Sequence, residues 1–323
     1  MTNKYNGIYK EYIVSYLKNR ELTIGRIDAH YACCLKKFDK YTIENPADLA
    51  FTKEYVEKWL ILGEKESLNT LAYRASVIKS FSIYLNSSGI NCYIINKKNY
   101  PSVKQFIPHI YTNIEIKSII EGIGMNVTNT FKYPYKKDMY KLLIELLYSC
   151  GLRLSEALNI KYSDINFNNK TIRINESKNY ITRNIVINKY LENEIKTYKA
   201  KFINLKDDTY LFNNTKYGYH IAKNTVEDDF KKIIKNSNLD KTKRYRLHDF
   251  RHTFAVNNLK NVFLNKEDIS VFLPVLMTYM GHQNIKSTEY YLRFTADIYP
   301  EFIKEYEKYF NDIIPIREDN KNE

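Results

Sequence analysis

The first ninety residues repeat apolar positions at the spacing of α-helices. Two runs before residue 45 place apolar side chains three and four positions apart, so each run presents one apolar stripe. A third run follows Thr52, a residue type that caps helices, and is expected to end at Gly63. A fourth run, Leu68–Leu85, leads into the turn-forming sequence Asn-Ser-Ser-Gly. The pattern predicts a small all-helical domain over residues 1–96.

The helical period stops over residues 97–108. This segment contains Pro101 and Pro108 and no sustained apolar repeat, which is typical of a linker. A second domain is expected to cover residues 109–313, and the polar tail 314–323 is expected to be disordered.

The second domain mixes two periods. A helix is expected to begin after Thr112 or Asn113 and to end near Gly122, and a leucine-rich helix is expected to end at Gly151. Alternation with a period of two predicts a β-hairpin built on Ile172, Ile174, Ile185 and Ile187. Helical spacing resumes in five segments: 224–235, 248–259, 266–280, 288–294 and 299–313. The fold class is therefore mainly α with a small antiparallel β-sheet.

Net charge and cysteine content favour some classes of protein and exclude others. The 323 residues carry a net charge of +13, divided into roughly +6 before residue 105 and roughly +7 after it. Such a chain attracts polyanions, including nucleic acids and anionic membrane surfaces. The 44% of hydrophobic residues excludes a wholly disordered protein. The four cysteines form no zinc-binding pattern, and Cys33 and Cys34 are expected to fill a core. A signal peptide and an apolar run of membrane-spanning length are both missing, so we expect a soluble, cytoplasmic protein.

Four short stretches carry candidate chemistry. Arg153 lies in GLRLSEALNI, and Lys178 lies at the turn of the predicted hairpin. LHDFRHTFA contains His248 and Arg251, and MGHQNIKSTEYY contains His282 and two adjacent tyrosines, Tyr290 and Tyr291. In this order and spacing, the stretches resemble the catalytic domain of the tyrosine recombinases over roughly residues 108–295. An arginine is followed three positions later by Glu156, and the tyrosine Tyr291 lies nine residues after His282.

Arginine, histidine and tyrosine suit strand exchange in DNA for physical reasons. Guanidinium groups match the non-bridging oxygens of a phosphodiester, which gather negative charge in the transition state. Arg153 and Arg251 are the candidates for this role. The attacking tyrosine has an ordinary pKa near 10 and must lose its proton, for which His248 is the candidate general base and later the acid.

The resemblance implies further roles. Lys178 protonates the departing 5′ oxygen; the hairpin also holds Lys170, Arg173 and Arg183, and Lys178 is favoured because its distance before RNIVI matches the family hairpin. His282 binds the phosphate or positions the nucleophile, which is Tyr291. Glu156 lies one helical turn after Arg153 and is expected to hold its guanidinium, and Asp249 is expected to play a similar supporting part. His252 is expected to point elsewhere on its helix and to be structural. A covalent phosphotyrosine conserves the bond energy, so no metal, cofactor or ATP is expected, and no P-loop is present.

The resemblance implies a helical, SAM-like DNA-clamping domain before an α+β catalytic domain, with a C-terminal docking helix at about 299–313. It implies a site-specific recombinase or integrase that acts as a homotetramer on two double-stranded DNA sites, and as a monomer or dimer in free solution. An accessory DNA-bending protein or a second recombinase is a further candidate partner. Little sequence precedes Tyr9, which favours a mobile-element or Xer-type enzyme over integrases with an additional arm-binding domain. A type IB topoisomerase and an inactive DNA-binding protein are the alternatives.

Overall fold

A computed structural model of the chain describes residues 5–24, 29–64, 66–100, 107–128, 133–175, 182–202, 206–213, 218–281 and 291. The chain divides into two compact units, residues 1–106 and 107–323. The described part is mostly helical with one small antiparallel sheet, which confirms the predicted fold class. None of its helices combines the length and the apolar character needed to cross a membrane.

The first unit contains four described helices, in line with the predicted number. They are α1 (Lys10–Ile24), α2 (Ala29–Glu44), α3 (Lys53–Trp59) and α4 (Leu68–Ser87). The hydroxyl of Thr52 caps α3 as predicted, but α3 ends before Leu60 and does not reach Gly63. The apolar residues Leu60, Ile61 and Leu62 therefore lie outside the helix, although their apolar character suggested that they belong to it.

Aromatic side chains make up a large part of the core of the first unit. The Tyr9 ring is fully buried and packs against Phe38, Phe51 and Phe81 with centroid distances of 5.8–6.0 Å. Cys34 is buried in this core, as predicted, whereas Cys33 is exposed, which corrects the expectation that both fill it.

The second unit contains seven described helices, packed around two apolar clusters. They are α5 (Asn113–Asn126), α6 (Lys136–Cys150), α7 (Leu154–Leu158), α8 (Lys189–Lys199), α9 (Lys223–Asn236), α10 (Leu247–Leu264) and α11 (Ile269–Met280). The apolar α6 is central and packs against α5, α8 and α10. Thr112 caps α5 in a reciprocal capping box with Glu115, and Gly151 ends α6 in the left-handed conformation.

The sheet has the strand order β1 (Ile165–Asn166), β2 (Thr171–Ile174) and β3 (Arg183–Val186). Strands β2 and β3 form the predicted hairpin, with Ile172 opposite Ile185 and Ile174 opposite Arg183. Arg183 is thus at the hairpin end next to residues 176–181, which lie outside the described residues.

Several elements differ from the expected ones. The helices α7 and α8 and the strand β1 were not predicted, and α5 continues beyond Gly122 to Asn126. The predicted segments 299–313 and 314–323 lie outside the described residues, as does all of 288–294 except Tyr291.

Candidate active site

Arg153 stands at the start of a short helix because the chain turns sharply before it. Gly151 has φ +59, and Arg153 follows in extended conformation as the residue before α7. Its side chain is 19% exposed and donates from Nη1 to the Glu156 carboxylate at 2.6 Å. Its backbone N–H donates to the same carboxylate at 2.9 Å. Glu156 therefore holds the guanidinium of Arg153 as the sequence indicated.

Arg251 reaches the same place from α10. Its side chain is 2% exposed, and its Nη1 donates to the carbonyl of Gly151 at 2.8 Å and lies 3.8 Å from a Glu156 oxygen. Burial and the charge of Arg153 lower the pKa of Arg251 to about 10, so the guanidinium stays protonated at neutral pH. The structure thus brings together the two arginines that were predicted as phosphate ligands.

A third arginine, which the sequence did not single out, completes the group. Arg183 donates from Nη2 and Nη1 to the two oxygens of Glu156, at 2.8 and 3.2 Å. Burial raises the pKa of Glu156, but Arg183, the backbone N–H of Arg153 and the charge of Arg251 outweigh burial and hold that pKa at about 2. Three guanidinium charges against one carboxylate leave a net charge of about +2, which favours a bound anion.

The end of α11 is bound by all three arginines. Gly281 ends the helix in the left-handed conformation, and its N–H donates to the carbonyls of Met277 and Thr278. The next three carbonyls each accept from one arginine: Tyr279 from Arg183, Met280 from Arg251 and Gly281 from Arg153. Cations at a helix C-terminus are stabilised by its carbonyls and its dipole. This end of α11 leads directly into the stretch with His282 and Tyr291.

His248 lies at the start of α10, in the wall of a basic cleft. The cleft has a volume of about 610 Å³, and its lining includes Arg153, Lys223, Lys231, Arg244, Arg246 and His248. His248 is exposed in the isolated chain. Loss of solvation against the cleft wall, together with the charges of Arg251, Arg246 and Arg153, lowers the pKa of His248 to about 4. The imidazole is therefore uncharged at neutral pH and able to accept a proton.

His252 packs against His248, and Tyr291 packs against His252. The His252 ring lies 4.8 Å from the His248 ring and 5.4 Å from the Tyr291 ring, measured between centroids. The expectation that His252 points elsewhere is wrong, since residues four apart lie on one helix face. Tyr291 is 4% exposed and packs into an apolar cluster with residues of α10 and α11. Tyr291 is thus connected to His248 through the His252 ring.

Asp249 is fully buried and binds a different arginine from those of the site. Its carboxylate accepts from Arg246 at 2.8 Å, next to His248 on the wall of the cleft. A supporting role for Asp249 would therefore act through the first turn of α10.

Three predicted positions lie outside the described residues: Lys178, His282 and Tyr290. Their roles stay predictions, as does the expectation of a reaction without metal. Within the described ranges, no three His, Cys, Asp or Glu side chains are grouped as metal ligands.

Comparison with known proteins identifies the class. The helical fold with its small antiparallel sheet is that of tyrosine recombinases. The chain belongs to the phage integrase family, whose family model matches residues 125–297, more than half of the chain.

Individual relatives agree with this assignment. The chain is 28% identical over 222 residues to the tyrosine recombinase XerA of Pyrococcus furiosus, which covers 68% of this chain and 69% of the relative. The fold is similar to that of the XerH site-specific recombinase bound to difH DNA after cleavage, with a TM-score of 0.63, 21% identity, and 87% and 78% of the two chains covered. It is also similar to the Tn1549 transposon integrase in complex with transposon right-end DNA, with a TM-score of 0.66, 14% identity, and 87% and 93% covered.

Proposed function

We propose that this recombinase cleaves and rejoins DNA through a 3′-phosphotyrosine at Tyr291. The observation that carries the proposal is the convergence of Arg153 and Arg251 on Glu156, beside a neutral His248 that packs on His252, which in turn packs on Tyr291. A net positive, partly enclosed site of this kind stabilises the charge that develops on a phosphodiester under attack.

The assigned side chains account for every bond and proton that changes in the reaction. The Tyr291 hydroxyl oxygen attacks phosphorus and passes its proton to His248, while the bond from phosphorus to the 5′ oxygen breaks. Lys178 gives a proton to that oxygen, leaving a free 5′ hydroxyl and a 3′-phosphotyrosine. The 5′ hydroxyl of a partner strand then attacks the phosphotyrosine, and the proton transfers run in reverse. His282 binds the phosphate. The positive site neutralises the non-bridging oxygens in both steps.

A bound phosphate also makes His248 a stronger base. His248 is uncharged because it loses solvation and because arginines surround it, and an incoming anion offsets their charge and raises the pKa of His248 toward its ordinary value. The imidazole therefore becomes a better proton acceptor once DNA is bound. Since Tyr291 is 4% exposed, DNA binding must also uncover its hydroxyl.

Covalent trapping tests the reaction without knowledge of the target sequence. Wild-type protein is incubated with a library of nicked duplexes of random sequence, on which cleavage releases a short fragment and leaves the protein attached to DNA. Adducts that survive denaturation are isolated and sequenced. Tyr291→Phe should form none, whereas Tyr290→Phe should form them at close to the wild-type rate. Adducts with Tyr291→Phe would refute the nucleophile assignment.

We infer that the biological role is integration, excision or transposition of a mobile element, by a homotetramer on two sites. The likeness of fold to a transposon integrase supports this role. Xer-type resolution of dimeric chromosomes or plasmids is the second candidate, favoured by the sequence similarity to XerA. Attachment-site repeats or transposition genes beside the coding sequence would favour the first role, and their consistent absence would favour the second.

A topoisomerase would behave differently in the same assay series. Relaxation of supercoiled plasmid by a monomer, without junction formation or site preference, would replace recombination as the function. Failure of the wild type to form any covalent adduct would instead indicate an inactive DNA-binding protein.

A further inference from the structure

The geometry points to Arg183 as a positioning residue of the cleavage step, in addition to the residues assigned above. We propose that Arg183 couples β3, and with it the preceding segment that contains Lys178, to Glu156 and to the end of α11. This inference rests on the proposed function, because its readout is DNA cleavage.

Arg183 occupies an inward position of β3. The side chains of this strand alternate between buried and exposed, and Arg183 shares the buried face with Ile185. Its side chain is 6% exposed. A guanidinium at an apolar position is costly unless its donors are matched by acceptors. In β3, the free-energy cost of burying the Arg183 guanidinium is offset because fixed hydrogen-bond acceptors surround it.

The acceptors of Arg183 come from two other elements. Both oxygens of Glu156 face its Nη atoms, in the two-point geometry that restricts a guanidinium in distance and in orientation. Its Nε donates to the carbonyl of Tyr279 at 2.6 Å, in the last turn of α11. One side chain thus connects β3, α7 and α11.

Each connected element leads into a residue with an assigned role. β3 begins five residues after Lys178, α7 starts directly after Arg153, and α11 ends two residues before His282. Displacement of a reacting group by about 1 Å reduces rates by about 100-fold. Arg153 and Arg251 also hold α7 and the end of α11 together, so loss of Arg183 chiefly releases β3 and the residues that precede it. Arg183 therefore controls the rate without contacting DNA.

The coupling to Lys178 makes a specific chemical prediction. When sulfur replaces the 5′ bridging oxygen of the scissile phosphate, the leaving group is a thiolate, which departs without protonation because thiols are far stronger acids than alcohols. A variant that only misplaces the leaving-group acid regains its rate on this substrate. A variant that has lost charge stabilisation or its fold does not.

The experiment compares Arg183→Lys with wild type on nicked duplexes recovered from the library, made with oxygen or with sulfur at the bridging position. Arg183→Lys should cleave the oxygen substrate about 10- to 100-fold more slowly and the sulfur substrate within about threefold of wild type. Lys178→Ala should show the same recovery, and Arg153→Ala should not. Arg74→Lys, which alters an arginine paired with Glu66 in the first unit, should cleave both substrates normally.

Circular dichroism and gel-shift binding establish that each variant is folded and binds DNA. Arg183→Gln, which keeps a donor for Glu156, is measured in parallel so that the result does not depend on one substitution. Equal losses on both substrates, or wild-type rates on both, would overturn the role of Arg183. A wild type that forms no adduct at all would overturn the proposed function instead.

Discussion

Arg183 and Glu156 form a two-point ion pair inside the second unit, with N–O distances of 3.2 and 2.8 Å and side chains that are 6% and 2% exposed. The same carboxylate binds Arg153. Without this shared carboxylate, three guanidinium groups would repel one another at short range with little water to screen them. Glu156 thereby makes it possible to collect enough positive charge for a phosphodiester in one place.

The first prediction concerns acid stability. Glu156 has a pKa of about 2 in the folded chain against an ordinary value of 4.5. Its ionised form therefore contributes about 3 kcal/mol, fully present above about pH 5 and lost as the pH falls toward 2. Glu156→Gln should lower the free energy of unfolding of the second unit by about 2–4 kcal/mol at pH 7, and the difference from wild type should narrow below pH 5.

Urea titrations at several pH values measure this effect. The single tryptophan, Trp59, reports on the first unit by fluorescence, and far-ultraviolet circular dichroism reports on both. Asp228→Asn is the control, since its ion pair with Lys231 is exposed and should contribute less than about 0.5 kcal/mol. A constant difference between wild type and Glu156→Gln from pH 7 to pH 3 would contradict the assigned charge state.

The second prediction concerns the space beside Arg183. Gly281 has φ +64, and a Cβ placed on it would lie 3.1 Å from Nη1 of Arg183. Gly218 in the same unit has φ +69 with open space around it. Both alanine variants incur backbone strain of about 1 kcal/mol. Only Gly281→Ala should also displace the guanidinium, so it should slow cleavage about tenfold or more while Gly218→Ala does not.

Single-turnover cleavage of nicked DNA, with unfolding followed in parallel, distinguishes the two effects. Equal cleavage rates for the two alanine variants would mean that the contact between Gly281 and Arg183 has no influence on the site.

Sequence patterns anticipated the parts of this site that depend on local spacing. Glu156 follows Arg153 by three positions, and a helix brings such residues together. The left-handed Gly151 and the capping box at Thr112 follow from local rules in the same way. The helix α7 was missed because its five residues complete too few turns to display a period.

Arg183 was not recognised because its burial depends on a partner 27 residues earlier in the chain. One signal was available: Arg183 is in phase with Ile185 and Ile187 on the inward face of the predicted strand. The position of His252 was also predictable, since it follows His248 by four residues.

The last prediction concerns the protonation of His248. Loss of solvation and the charges of Arg251, Arg246, Arg153 and Lys223 lower its pKa to about 4. Because the folded value is below the unfolded one, the neutral form stabilises the fold above about pH 6.5, and that contribution is lost as the pH falls toward 4. In an NMR titration with labelled histidine, the ring signal of His248 is assigned by its disappearance in His248→Gln. This signal should show an unprotonated ring down to about pH 5.

Arg153→Gln removes one of the repelling charges and should raise the pKa of His248, whereas Lys223→Gln should raise it less because the Lys223 charge contributes less. Addition of a nicked duplex to the Tyr291→Phe variant should raise it as well, since the phosphate offsets the arginines. A wild-type midpoint near 6.5, or one that is unchanged by Arg153→Gln and by DNA, would show that the arginines do not set the charge of His248.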